Sequence, residues 1–459
     1  METEFPPSGL GYDPAAQVHL GLFHTGVGPQ LLWSAPDSAP HHHRDTFLRV
    51  ARTLERGLFD AYFLGEGLRV REKRGRVLET DVAGRPDAIT LLSALAGATD
   101  RIGLVATQNT TYNQPADLSR RLASLHLLSG GRAGWNIVTT DNAWTGENFR
   151  HGGWLAHEDR YDRAEQFVRA ARGLWSAWPE DAVADDAKAP SWARPSAIGT
   201  VRADTPLVRM AAAPTLPTGP DAPVLFQAGD SPGGRDLAAR HADVVFTSNT
   251  TYDKALAYTR DLTTRLAAYG RDRESLRVMP GAVVVVGDTA AEARERYEWT
   301  RAEEYNGPRC LAFLEQWWGR DLSGYDPDGP LPDIEPLEQE LDPSRGTIAV
   351  AHRTGKLQTI ARWRRMAGER GLSIRGLVRE VGPGHDVFCG TPGEIADTWG
   401  HYVRERVVDG FNITPQVVPG TVDDLVDRLV PALQERGLYR TAYEGTTLRE
   451  HLGLARREG

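Results

Sequence analysis

The sequence contains few cysteines. Two occur in 459 residues, Cys310 and Cys389, and two thiols cannot form the disulfide framework of a small secreted protein. Their positions do not match the spacings that are typical of metal-binding motifs. We therefore expect two buried, unreactive thiols in a protein of a reducing compartment, the cytoplasm.

Long apolar runs are also absent. No segment reaches the ~18 uninterrupted apolar residues of a transmembrane helix. The amino-terminal stretch METEFPPSGLGYD lacks the basic region and the apolar region of a signal peptide. We therefore expect a cytoplasmic protein with no membrane partner.

Positive charge is not in excess either. The formal net charge is −9, and no run of lysine and arginine interrupts this acidic balance, which argues against a nucleic-acid partner. Hydrophobic residues at 40% and charged residues at 25% are typical of a soluble globular enzyme. The composition therefore favours a protein that acts on small molecules.

The motifs of several enzyme classes are missing. The chain has no Ser-His-Asp order, no P-loop, and no G-x-S-x-G or G-x-G-x-x-G between a strand and a helix. The HEDRY stretch at 157–161 lacks the second histidine of a zinc protease motif, and the consecutive residues His41–His43 cannot readily converge on one ion. We expect no metal site, and any redox chemistry would belong to an organic cofactor.

What the chain does contain is a βαβ unit. Ile102–Thr107 and Ala133–Thr139 are β-rich apolar segments, and Pro115–Ser129 between them has leucines at three- and four-residue spacing, which predicts a helix. Parallel strands present their carboxyl ends to the ligand. The polar residues at these two ends are Thr107, Asn109, Thr110, Asn136 and Thr139. They are uncharged hydrogen-bonding groups, which suit a large, polar, planar molecule.

The same alternation continues along the chain. Strands followed by helices recur about eight times, which favours a (β/α)8 TIM barrel with insertions over a doubly wound sheet. We expect a single domain spanning residues 1–459. A Gly/Pro/acidic insertion at 306–345 is a candidate lid over the site.

The stretch GDSPGGRDLAARHA, which follows a predicted strand at 223–228, has two interpretations. Ser231 stands where a helix N-cap would, with Pro232 at the first helical position and Gly233 and Gly234 after it. Backbone amides at such a helix start can bind a phosphate. The alternative is an ordinary capped helix after a tight turn.

A second pair of polar residues lies at a helix start. His157 and Tyr161 are four residues apart and so share one helix face. They either face a ligand above the fourth strand or serve as a cap histidine and a core tyrosine. The sequence shows no clear cluster of basic residues at the predicted strand ends that would indicate a polycarboxylate substrate. Arg69, Arg71 and Arg74 follow the second strand, but they could equally be solvated surface residues.

Several stretches resemble one known family. They are RGLFDAYFLGE, GLVATQNTTYNQPADLSRRLASLHLLSGGRAGWNIVTT, HEDRYDRAEQFVRAARGLW, VLFQAGDSPGGRDLAARHADVVF and GLYRTAYEGTTLREHLGL. Together they resemble flavin-dependent monooxygenases of the nitrilotriacetate monooxygenase type, within the bacterial luciferase-like superfamily. The resemblance spans nearly the whole chain.

The resemblance implies a TIM barrel that binds reduced FMN. O2 would react with the flavin to form a hydroperoxide, which oxygenates a small organic substrate. The implied FMN-binding residues are Glu66, Thr107, Asn109, Asn136, His157, Tyr161, Gly229, Ser231, Gly233 and Gly234. Glu66 replaces the aspartate, and Asn109 the serine, that are usual in the family. His157 is the candidate acid or base.

The resemblance also implies partners. A separate NAD(P)H:flavin reductase would supply FMNH2, and the chain would assemble as a homodimer or homotetramer. Two alternatives remain, a deazaflavin-dependent oxidoreductase on the same barrel and a flavin-binding protein without turnover. The substrate is left open, with a slight preference for an intermediate of moderate polarity.

Overall fold

A computed structural model of the chain gives the fold. It describes residues 6–28, 30–72, 76–140, 143–149, 155, 157–179, 182–184, 188, 190–194, 196, 198–218, 222–337, 355–382 and 386–456. Among the helices of these ranges, none combines the length and the low polarity that crossing a membrane requires.

The first half of the chain alternates strands and helices, as the sequence predicts. The strands are β1 (His19–His24), β2 (Ala61–Leu64), β3 (Gly103–Asn109) and β4 (Ala133–Val138). The helices are α1 (Arg44–Arg56), α2 (Ala88–Ala96), α3 (Pro115–Leu128) and α4 (His157–Trp175). The sequence Asp87–Ala98 (DAITLLSALAGA) predicts a helix that Asp87 caps, and the structure confirms this start, with Asp87 accepting the Thr90 N–H at 2.8 Å.

The second half begins with a feature that the sequence does not reveal. Within 179–222, where no period is evident, β5 (Val201–Asp204) and β6 (Arg209–Ala212) form an antiparallel hairpin. The following elements are β7 (Val224–Ala228), α5 (Pro232–His241), β8 (Val244–Phe246), α6 (Tyr252–Ala268), β9 (Arg277–Val278), β10 (Gly281–Val286) and α7 (Ala290–Glu304).

The remaining elements are mostly helical. They are α8 (Gly307–Trp318), α9 (Lys356–Arg370), α10 (Ile374–Val381), β11 (Val387–Gly390), α11 (Pro392–Arg404), β12 (Gly410–Ile413), α12 (Gly420–Asp424), α13 (Val430–Glu435) and α14 (Leu448–His451). Thr391, Pro392 and Glu394 predict a capped helix start from the sequence, and Thr391 and Glu394 form this capping box at the start of α11. The sequence predicts neither α10 nor β11.

The strands outside the hairpin form one parallel sheet. Its order is β11-β10-β12-β1-β2-β3-β4-β7-β8-β9. Because all neighbouring strands are parallel, their carboxyl ends meet at one edge, where ligands bind in α/β proteins. The α/β class is therefore confirmed.

The sequence of 276–286 (LRVMPGAVVVV) predicts one strand, which the structure divides into β9 and β10. Pro280 lies between them, and proline has no N–H for a sheet ladder. Around this break the Met279 N–H donates to the Val245 carbonyl at 2.9 Å, and the Asp409 N–H donates to the Val278 carbonyl at 2.8 Å. The β9–β10 segment thus bonds to β8 on one side and to the residue before β12 on the other. Since β12 also pairs with β1, the sheet is curled.

The predicted insertion at 306–345 is described only as far as residue 337. Its helix α8 packs with α9 and α10 in a separate apolar cluster that includes Trp318, Trp363 and Leu377. Arg309, on α8, donates to Asp81 at 2.6 Å, which ties the cluster to the loop between β2 and α2. Residues 338–345 lie outside the described ranges.

Candidate functional site

A cavity of about 830 Å³ lies at the carboxyl ends of the central strands. This volume falls within the roughly 300–1,000 Å³ of small-molecule and cofactor sites. The polar and charged residues that line it include Thr25, Glu66, Arg69, Arg71, Arg85, Thr107, Asn136, Thr139, Tyr161 and Gln227. Glu66, Thr107, Asn136 and Tyr161 were predicted from the sequence, and they share this one cavity.

The turn after β7 borders the cavity. Ser231 is the N-cap of α5, with its hydroxyl accepting the Gly234 N–H at 3.1 Å and Pro232 in the first helical turn. The same hydroxyl lies 2.9 Å from the hydroxyl of Tyr161. The predicted capped helix start is therefore confirmed, and it is joined to Tyr161 by a hydrogen bond.

Neighbouring groups hold this turn in place. Asp230 accepts hydrogen bonds from the Thr247 hydroxyl at 2.6 Å and from the Ser248 N–H at 3.1 Å, which fixes the end of β7 to the end of β8. A Cβ at Gly234 would lie 3.0 Å from the backbone of Gly229. The turn is thus held by hydrogen bonds and is closely packed.

Helix α4 brings Tyr161 to the turn. Arg160 donates to the Thr140 carbonyl at 2.9 Å, and Arg163 donates to the Thr110 carbonyl at 2.8 Å. These bonds tie the first turns of α4 to the ends of β4 and β3. A Cβ at Gly233 would lie 3.2 Å from the Tyr161 ring, so glycine there allows the ring to approach. His157 is the first residue of α4, but its side chain lies outside the described residues.

Glu66 lies after β2 and is held from behind by Asn109. Its Oε2 accepts the Asn109 backbone N–H at 3.0 Å and the Asn109 side-chain N–H at 2.9 Å. Its Oε1 is buried and has no hydrogen-bond partner among the described residues. Burial raises the pKa of Glu66 to about 7, although the Asn109 bonds and nearby Arg85 oppose this rise. Asn109 therefore contacts Glu66 and does not itself line the cavity.

Thr107 and Asn136 are direct neighbours in the β3–β4 register. The Asn136 amide donates to the Thr107 hydroxyl at 3.1 Å. The other amide atom, Asn136 Oδ1, is buried without a partner in the described part of the chain, and the same holds for Gln227 Oε1. Together with Glu66 Oε1, three unpaired oxygens thus belong to residues of the cavity wall. Because a buried unpaired acceptor is costly, such a wall suits a ligand that carries several hydrogen-bond donors.

Two features of the wall were not predicted from the sequence. Gln227 is a polar residue inside the apolar strand β7, and that contrast was an available signal. Phe23, Phe63 and Phe246 form an aromatic surface in the cavity, with Phe23 lying 4.7 Å from Phe63 and 5.1 Å from Phe246 between ring centroids. Their side-by-side placement depends on the sheet order, which the sequence does not give.

The buried carboxyl of Glu66 predicts a pH-dependent stability. Its pKa in the folded state, about 7, exceeds the value near 4.5 of an unfolded chain. The folded state therefore binds more protons between these values, and the contribution of Glu66 to stability falls as the pH rises through this window. We therefore compare the free energy of unfolding of Glu66→Gln with that of the unsubstituted protein. The difference should shift in favour of Glu66→Gln by about 2–3 kcal/mol when the pH rises from 5 to 8.

Urea unfolding of both proteins at the two pH values measures this change. Glu79→Gln is the matched control, because Glu79 is exposed in the same loop, and its difference from the unsubstituted protein should not depend on pH. An equal difference at pH 5 and pH 8 for Glu66→Gln would show that Glu66 is not buried as described.

Comparison with known proteins connects this geometry to a family. The model of the luciferase-like monooxygenase family matches residues 26–409. Nitrilotriacetate monooxygenase component A of Aminobacter aminovorans is 37% identical over 438 residues, covering 92% of this chain and 93% of the relative. N-acetyl-S-(2-succino)cysteine monooxygenase of Bacillus subtilis (strain 168) is 37% identical over 454 residues, covering 95% and 97%.

The fold also matches solved structures. A crystal structure of riboflavin lyase with modified FMN and riboflavin aligns with a TM-score of 0.78 and 29% sequence identity, covering 95% of this chain and 96% of that one. The alignment spans nearly the whole length of both chains.

Proposed function

Because the chain belongs to the luciferase-like monooxygenase family, we propose that its cavity holds reduced FMN with the phosphate at the Ser231 turn. The protein is a flavin-dependent monooxygenase, the oxygenase component of a two-component system, and uses reduced FMN and O2.

The hydrogen-bonding groups of the cavity wall support the assignment of reduced FMN to the cavity. Glu66, Asn136 and Gln227 line the cavity, and each has a buried oxygen without a hydrogen-bond partner in the part of the chain that the structure describes. A hydroxyl pair, Tyr161 and Ser231, lies at the β7 side. Reduced FMN has ring N–H groups and ribityl hydroxyls that can donate to such acceptors, and a phosphate that can accept from hydroxyls. The residues present therefore fit this cofactor.

At the phosphate end, the Ser231 and Tyr161 hydroxyls would exchange their mutual hydrogen bond for donation to the phosphate. The start of α5 adds the favourable end of the helix dipole, together with the amide of Gly233. The Gly234 N–H already donates to Ser231, so Gly234 and Gly229 would contribute by close packing of the turn. This assignment agrees with the phosphate interpretation of the sequence.

At the other end, the polar wall would orient the ring. Glu66, Thr107 and Asn136 would hydrogen-bond the flavin and its ribityl chain, while Asn109 would fix the Glu66 carboxyl. When bound, reduced FMN supplies the electrons with which O2 is activated. The phenylalanine surface would exclude water from the reacting region.

His157 is our candidate acid or base. It stands one helical turn before Tyr161 on α4, and residues four apart share a helix face. That face carries Tyr161, which lines the cavity. His157 would therefore exchange a proton with the substrate.

For the fold, we propose that the curled sheet is a closed (β/α)8 barrel. The support is the backbone bonding of the β9–β10 segment to β8 and to the start of β12, which would make this segment the seventh strand and β12 the eighth. The chain would be one domain over 1–459, with 306–345 as an insertion that covers the cavity mouth.

The partner would be a separate NAD(P)H:flavin reductase. The relative from Aminobacter aminovorans is named as component A, which supports a second component here. We also propose a homodimer or homotetramer in the cytoplasm.

Mixing the protein with photoreduced FMN and then with O2 tests the function. We expect saturable binding of reduced FMN without oxygen, and slower oxidation of the bound flavin than of free flavin once O2 is added. Binding of a reduced deazaflavin instead would favour the alternative oxidoreductase, and binding without an altered reaction with O2 would favour a flavin carrier. Absence of any binding would exclude the proposed function.

A further inference from the structure

The β1–β2 side of the cavity is positively charged. Among the described residues that line the cavity, Arg69, Arg71 and Arg85 are basic and Glu66 is acidic. Because the pKa of Glu66 is raised to about 7, its carboxyl is only partly ionised near neutral pH. This side of the cavity therefore carries a net positive charge.

Arg85 is built into this wall. One of its Nη atoms donates to the Thr25 carbonyl, while its Nε is buried without a hydrogen-bond partner among the described residues. A Cβ at Gly65 would lie 2.5 Å from the guanidinium, one at Gly67 would lie 2.6 Å from it, and one at Gly26 would lie 3.2 Å from the Arg85 side chain. Three glycines thus leave the space that Arg85 occupies.

A second guanidinium stands near the first. The backbone N–H of Arg71 donates to the Ala83 carbonyl at 2.9 Å, which brings Arg71 beside the segment that carries Arg85. Burial, and after it the charge of Arg71, lowers the pKa of Arg85 to about 10. Arg71 is exposed and Arg85 is partly buried, so solvent weakens the repulsion between the two charges, and an anion that approaches both guanidiniums would be attracted by each.

This region is separate from the Ser231 turn. Thr25 and Gly65 follow β1 and β2, whereas Ser231 follows β7. In the sheet order β1-β2-β3-β4-β7, three to four strand spacings lie between them, about 14–19 Å along the sheet. If the flavin phosphate occupies the Ser231 turn, Arg85 and Arg71 are available to a different anionic group.

We propose that Arg85 and Arg71 bind a carboxylate of the substrate, so that the enzyme oxygenates an organic acid. The proposal rests on the function proposed above. A planar guanidinium matches a carboxylate with parallel hydrogen bonds, and the Arg85 Nε supplies a donor for one of them. The anion would hold the rest of the substrate over the phenylalanine surface.

Calorimetric titration with a charged and an uncharged probe tests the site. Succinate and its neutral analogue succinamide are titrated, without oxygen, into the protein saturated with reduced FMN. We expect succinate to bind at least about tenfold more tightly than succinamide, because hydrogen bonds to charged groups are the stronger ones. Arg85→Met should remove this preference, and Arg85→Lys should retain part of it.

The affinity for reduced FMN shows whether Arg85 binds a substrate carboxylate or the flavin phosphate. Arg85→Met should leave the Kd of reduced FMN within about twofold of the unsubstituted value, and Arg209→Met, at an exposed arginine of the hairpin, should change neither measurement. Equal affinity for the two probes, or binding of neither, overturns the proposal. A loss of FMN affinity in Arg85→Met as large as the loss for succinate also overturns it, because Arg85 would then bind the phosphate.

Failure of the proposed function gives a different result. If the unsubstituted protein binds no reduced FMN, the flavin assignment fails, and the same two probes are titrated into the flavin-free protein. A preference for succinate that depends on Arg85 supports the anion site there, and its absence overturns the site.

Discussion

Ser231→Trp will abolish the binding of reduced FMN, with a Kd increase on the order of 1,000-fold, or about 4 kcal/mol. The substitution removes the hydroxyl that contacts Tyr161 at 2.9 Å and places an indole at the turn where the phosphate is proposed to bind. It also removes an N-cap, which costs about 1 kcal/mol of stability. Anaerobic titration with photoreduced FMN measures the Kd.

Ser373→Trp separates binding from folding in this experiment. Ser373 caps α10 as Ser231 caps α5, with an N–H to hydroxyl distance of 3.1 Å in both. Ser231 contacts the cavity wall through Tyr161, whereas Ser373, at the start of α10, lies outside that wall. The control should lose a similar amount of stability and keep the Kd for FMN. Unchanged FMN affinity in Ser231→Trp would contradict the phosphate site.

Asp60→Ala will destabilise the fold by about 3–5 kcal/mol, because it leaves a mostly buried arginine without its partner. Asp60 is fully buried, accepts the Leu20 N–H at 2.7 Å and lies 3.1 Å from His19 Nδ1. It also pairs with Arg440, which in turn donates to the His451 carbonyl at 3.1 Å. The carboxylate thus joins β1, β2 and the carboxyl-terminal segment.

The same carboxylate predicts a loss of stability in acid. Burial alone would raise the pKa of Asp60, but Arg440 and His19 outweigh it and lower the pKa to about 2. Because the unfolded value is near 4, the stabilisation is complete above about pH 4 and is lost as the pH falls from about 4 to 2. Below this window Asp60→Ala and the unsubstituted protein should differ less.

Urea unfolding measures both effects. Asp397→Ala is the control, since Asp397 pairs with Arg436 at 2.6 Å on the exposed surface, where an ion pair contributes about 0–1 kcal/mol. A cost below about 1 kcal/mol for Asp60→Ala would mean that the buried network does not stabilise the fold.

The regular elements were predictable where the pattern was local. The leucine spacing of α3, the caps at Asp87, Ser231 and Thr391, and the apolar run of β7 each follow from nearby residues, and the structure confirms them. The hairpin β5–β6 was missed because its strands alternate between intermediate and exposed residues, so no apolar face marks them.

The shape of the cavity was harder to predict. Tyr161 and Ser231 are seventy residues apart in sequence, and only the sheet order brings them together. Arg85 lies in the long loop after β2, and no local pattern indicates that it returns to Gly65 and Thr25. The family resemblance supplied the flavin residues, and the sequence placed Arg71 after β2, whereas the position of Arg85 required the three-dimensional contacts.

The most direct test is a crystal structure of the protein soaked with reduced FMN without oxygen. We expect the phosphate within hydrogen-bond distance of the Ser231 and Tyr161 hydroxyls, and the ring edge or ribityl chain against Glu66 Oε1 and Asn136 Oδ1. A phosphate bound at Arg85, or a flavin outside the cavity, would contradict this account.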